Sequence, residues 1–135
     1  MTSSNLRLAI VQIGTTNLPA ARRFYGEILG FPEKNPSFGP DFASFDLGGG
    51  QTLLLYPATA GQERQSYPDS TGTVPIFVVS DIQTTVASLR EAGIELVPAA
   101  WADERGLASC PFGVFIGVRD PSGNVVELLE RVDPS

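Results

Sequence analysis

The chain has 135 residues, 42% of them hydrophobic, which suits one domain with a buried core and is too apolar for a disordered protein. Fifteen acidic against nine basic residues leave a net charge of −6, which repels phosphate backbones and anionic membrane surfaces and so argues against nucleic-acid and membrane partners. One cysteine excludes an internal disulfide or a thiolate metal site, and the lack of any histidine excludes Ser-His-Asp and Cys-His catalytic devices.

The apolar run near the start is interrupted by Arg7 and Gln12 and meets no small-residue cleavage site. Neither a signal peptide nor a membrane span is expected, and the expected location is the cytoplasm. Residues 7–16, RLAIVQIGTT, are aliphatic and β-branched and end in turn formers, which predicts a strand. Asn17 can then cap a helix with Pro19 in its first turn, and Leu18, Ala21, Phe24, Ile28 and Leu29 recur at helical spacing until Gly30. A loop, PEKNPSFGPD, follows. FASFDLGGGQTLLLYP reads as two strands around a triple glycine, which supplies the positive φ angles of a hairpin.

Residues 58–72 are polar and lack apolar periodicity, as a linker does. The first plan then returns. TVPIFVVS predicts a strand, Asp81 a cap, and Ile82, Val86 and Leu89 one helix face up to Gly93. IELVPAA, SCPFGVFIGVRD and NVVELLER supply the remaining strands, with Asp120-Pro121-Ser122-Gly123 as a turn. The duplication, at a spacing of about 64 residues, organises the chain as one domain, 1–135, made of two βαβββ modules, 6–57 and 73–132, joined by 58–72. Cys110 reads as a small buried apolar residue. No GxGxxG or P-loop spacing occurs, so no cofactor is expected.

Two such modules, with AARRFYGEILGF ending the first helix and RDPSGNVVELLE forming the last hairpin, resemble the vicinal oxygen chelate superfamily. That family comprises glyoxalase I, the extradiol dioxygenases and the bleomycin-resistance-type drug-binding proteins. The resemblance implies an α+β fold in which two curved mixed sheets enclose a cavity and helices cover the outer face. It also implies a homodimer. Strand alternation then places Leu8, Ile10 and Gln12 inward on the first strand, and Thr52, Leu54 and Tyr56 on the hairpin. In the second module it places Val74, Ile76 and Val78 inward, with Val125, Glu127 and Leu129 on the last strand; Phe115 and Arg119 are their expected neighbours.

Metal-binding relatives carry ligands at positions that look like Ile10, Leu54, Val74 and Glu127 here. Three of these are aliphatic, and one carboxylate helped by an amide such as Gln12 would hold a divalent ion weakly, so no metal is expected. The pattern is similar to the drug-sequestering branch. It implies an apolar pocket for an aromatic or hydrophobic small molecule, lined by Ile10, Gln12, Leu54, Tyr56, Val74, Ile76 and Phe115, with Phe38, Phe42, Trp101 and Phe112 as aromatic walls and Glu127 as polar anchor. Burying ~250 Å² of ligand contributes about 6 kcal/mol before association entropy is subtracted. Two alternatives remain: a metal-free isomerase, cyclase or lyase with Glu127 as general base, and a glyoxalase- or dioxygenase-type metalloenzyme with unusual ligands.

Overall fold

The computed structural model describes residues 6–59 and 73–132, so the expected linker, apart from Ala58 and Thr59, lies outside the described residues. The chain divides into two compact units, Met1–Gly61 and Gln62–Ser135. Each holds one mixed sheet beside helical structure, an α+β arrangement, and no sheet closes into a barrel among the described residues.

In the first unit, β1 (Ile10–Thr15) leads through Asn17 into α1 (Leu18–Arg22). The Asn17 side chain accepts from the Ala20 amide at 3.1 Å, and Pro19 occupies the first turn, where a missing N–H costs nothing. The helix was expected to run α-helically to Gly30. It instead widens into a π-helical stretch over Arg23–Ile28, marked by the Leu29 amide donating to the Phe24 carbonyl at 2.9 Å. Consecutive Phe24 and Tyr25 are both fully buried there, their rings edge to face at 4.7 Å. A Cβ on Gly26 would stand 3.0 Å from the Phe45 ring, so the missing side chain lets Phe45 press against this segment.

The short β2 (Glu33–Lys34) arises within the expected loop and pairs with β3 (Ala43–Gly48), which turns through Gly49 and Gly50 into β4 (Gln51–Pro57). The sheet order is β1-β4-β3-β2, with β1 and β4 parallel and the other pairs antiparallel. Phe45, Leu53 and Leu55 share the helix-side face and are fully buried. Each contributes roughly 1.5–3 kcal/mol on leaving water.

The second unit repeats the plan. β5 (Ile76–Val78) leads to α2 (Ile82–Glu91), then β6 (Leu96–Val97), β7 (Ala108–Cys110), β8 (Gly113–Arg119) and β9 (Val125–Arg131). The order is β5-β9-β8-β6, β5 parallel to β9, with β7 paired to β8. Asp81 caps α2 through the Thr84 amide and hydroxyl, at 3.2 and 2.8 Å. These hydrogen bonds, the hydroxyl's first, hold its carboxyl below the usual carboxylate range. At the other end the Ile94 amide reaches the Leu89 carbonyl and the Gly93 amide the Arg90 carbonyl, closing a Schellman turn around Gly93, whose φ is +73°. The segment SCPFGV forms two strands, because Pro111 and Phe112 make a hairpin turn between β7 and β8. No helix among the described residues is long and apolar enough to cross a membrane.

Candidate functional site

The two glutamates of VELLER have opposite fates because a strand alternates its side chains. Glu130 lies on the α2 side of β9, where its carboxylate accepts the Ile82 amide at 2.9 Å. Glu127, three residues earlier, therefore occupies the opposite face and is partly buried. Its Cα partners there are Ile76 on β5 and Gly117 on β8. The next row of that face joins Val78, Leu129, Phe115 and Ala108.

This face is apolar and partly open. Leu129 and Phe115 are buried, whereas Ile76 and Val78 are each 55% exposed. Ala108, Phe115 and Leu129 form a cluster against which Ala99, Ala102 and Cys110 pack. Trp101 joins its rim. The indole stands edge-on to Phe115 with ring centroids 5.9 Å apart, and its Nε1 donates to the Ser109 carbonyl at 3.0 Å, which fixes the ring while 64% of the residue stays exposed. Phe112 sits at the β7–β8 hairpin tip, 72% exposed. Val74 precedes Pro75, just outside β5.

Arg119 shares the face of β8 that carries Gly117 and Phe115, as expected, and its guanidinium stands 3.2 Å from the Glu95 carboxylate and donates to the Gly123 carbonyl at 3.1 Å. It borders an open cleft of about 480 Å³ lined by Gly93, Ile94, Glu95 and residues 119–123, without Glu127. Its guanidinium is already engaged, and the Asp120 carboxylate is spent on the amides of Ser122 and Asn124 and on the Asn124 side chain.

In the first unit, the face turned away from Phe45 carries Ile10, Gln12, Gly14, Thr52, Leu54 and Tyr56, together with Lys34, Ser44 and Asp46. Ile10, Gln12 and Tyr56 are exposed, whereas Leu54 is only 2% exposed and packs as core. The face is more polar than its aliphatic residues suggest. Lys34 Nζ donates to the Thr52 hydroxyl at 3.0 Å, and the Ser37 and Ser44 hydroxyls lie 2.7 Å apart. Lys34 escaped notice because a two-residue strand has no periodicity to read. Phe38 and Phe42 pack together at 5.7 Å.

Neither unit offers a donor set that fits a divalent ion: in the first the register places Gln12, an amide, opposite Leu54, and in the second it places Glu127, a single carboxylate, opposite Ile76. Among the described residues no three His, Cys, Asp or Glu come together in a way that could hold a metal.

A family model described as the Glyoxalase/Bleomycin resistance protein/Dioxygenase superfamily matches residues 7–128. None of the curated proteins compared with the chain matches it. Among solved structures, a protein assigned to the glyoxalase family from Bacillus anthracis superposes with a TM-score of 0.72 at 22% identity, covering 97% of this chain and 99% of that one. The oxidase ChaP-H2 gives 0.70 at 24% identity, with 98% of each chain covered. TnmS3, an antibiotic binding protein from Streptomyces sp. CB03234, gives 0.67 at 18% identity, covering 96% and 99%. At these identities the likeness is one of fold.

Proposed function

The chain belongs to the glyoxalase/bleomycin resistance protein/dioxygenase superfamily, and from that premise we propose that it is a metal-independent binding protein that sequesters an aromatic or hydrophobic natural product. It works in the cytoplasm as a homodimer, its two modules acting as one domain over 1–135. The observation that carries this reading is the Glu127 face. One carboxylate stands among Ile76, Val78, Phe115 and Leu129, with the indole of Trp101 held at the rim. Such a surface rewards apolar contact, and a carboxylate, with two oxygens, can accept from a ligand hydroxyl or amine as well as from the protein. The same fold occurs in TnmS3, an antibiotic binding protein, which supports a binding reading.

A second reading, a metal-free isomerase, cyclase or lyase, rests on Glu127 itself, a partly buried carboxylate on an apolar face and so the group that could act as general base. Titration of aromatic antibiotics against the fluorescence of Trp101, the only tryptophan, tests the binding proposal. Saturable quenching at micromolar ligand is expected, and its absence across the panel would refute sequestration.

A further inference from the structure

Gly14 and Tyr56 are Cα partners in the parallel pairing of β1 and β4. A Cβ on Gly14 would stand 3.0 Å from Cζ and Oη of Tyr56 and 3.2 Å from Cε2, so the outer part of the phenol ring lies across the glycine. Gly14 does not have a positive φ. The position therefore uses the glycine's missing side chain and not its backbone freedom. A ring laid over a glycine on an edge strand can serve sheet packing alone. Three facts go further: Tyr56 remains 38% exposed, Ile10 on the same face is 45% exposed, and Gln12 between them is exposed as well.

We propose that Tyr56, seated on Gly14, is a stacking platform for a planar fused-ring aromatic ligand, and that Gln12 meets a carbonyl or hydroxyl at that ligand's edge. Gly14 is the positioning residue. An added methyl there lifts the phenol and tilts its free side out of the stacking plane. Glutamine carries both a donor and an acceptor, so it suits a hydroxyquinone-like edge that presents both. Stacking on one exposed phenol is sequence-independent chemistry that any flat π-system satisfies. This assignment rests on the reading that the chain binds aromatic small molecules.

The test uses the full chain and 1,8-dihydroxyanthraquinone, with affinity read by equilibrium dialysis and Trp101 fluorescence followed in parallel. Tyr56→Phe is expected to bind within about threefold of the unaltered protein, whereas Tyr56→Leu and Gly14→Ala each weaken binding about tenfold. The double variant Gly14→Ala/Tyr56→Leu should bind no more weakly than Tyr56→Leu alone, because Gly14 acts only through the ring. A purely structural glycine would give additive losses, which would overturn the assignment. If Tyr56→Leu binds the dye as the unaltered protein does, the platform is wrong while the binding proposal stands. If the unaltered protein neither retains the dye nor shows a Trp101 response, the binding proposal fails and takes the platform with it.

Discussion

Glu127 stands directly across from Ile76 in the parallel pairing of β5 and β9, a carboxylate beside a side chain that is 55% exposed. A charged acceptor in that setting discriminates by the partner it meets. Glu127→Gln keeps the shape and an acceptor oxygen and removes the charge. It is expected to weaken a cationic aromatic ligand about tenfold, in line with the ~1.5–3 kcal/mol of a charge-assisted hydrogen bond, and a neutral phenolic one by less than threefold. Calorimetric titration of the two ligand types reads the difference. Equal losses would remove Glu127 as the anchor.

The Asp120 carboxylate is a structural hub of the last hairpin, nearly buried and accepting from the amides of Ser122 and Asn124 at 2.9 Å each and from Asn124 Nδ2 at 3.0 Å. Asp120→Ala strands those donors. It should lower unfolding stability by about 2–4 kcal/mol in urea titrations. A loss below about 0.5 kcal/mol would show that solvent replaces the carboxylate without penalty.

Asp81 links stability to pH. Its carboxyl is depressed below the ordinary 3.8, chiefly by the Thr84 hydroxyl and then the Thr84 amide. A depressed folded-state value means the ionised form stabilises the fold above about 3.8, and this contribution disappears as pH falls through the lower folded-state value. Asp81→Ala should therefore melt below the unaltered protein at pH 7, with the gap closing as pH falls below 3.8. A gap that persists undiminished at pH 2 would contradict this.

Chelation gives a further check on the donor count. Because the Gln12–Leu54 pair of the first unit offers only an amide and the Ile76–Glu127 pair of the second only one carboxylate, excess EDTA is expected to leave both the melting temperature and dye affinity unchanged. A fall in either would show that the protein holds a metal.

Much of the architecture was legible where local chemistry decides it. Asn17 and Asp81 announce their helices because a side-chain acceptor just before a periodic apolar run satisfies otherwise unpaired amides. The triple glycine announces its hairpin, and Gly48, Gly49 and Gly50 all take positive φ. Which residues share a face on β1, β4 and β9 follows from alternation. What escaped is what tertiary contact decides. The π-helical stretch depends on how Phe24, Tyr25 and Gly26 meet the sheet through Phe45, which no helical period encodes. Glu33–Lys34 becomes a strand only because β3 offers it an edge. Leu54 alternates with the exposed Gln12 and Tyr56 positions yet is buried, since alternation assigns a face and says nothing about what covers it. The Trp101–Phe115 contact joins residues from a loop and a strand whose approach is set by the Ser109 carbonyl.

The most direct test of sequestration is the fate of the ligand. An aromatic antibiotic that quenches Trp101 is incubated overnight with an equimolar amount of protein, the complex is denatured, and the released compound is analysed by mass spectrometry and chromatography. Sequestration predicts quantitative recovery of the unchanged compound with one equivalent bound per site. Time-dependent conversion to a new mass or an isomer, abolished by Glu127→Gln while binding persists, would contradict it and establish Glu127 as a base.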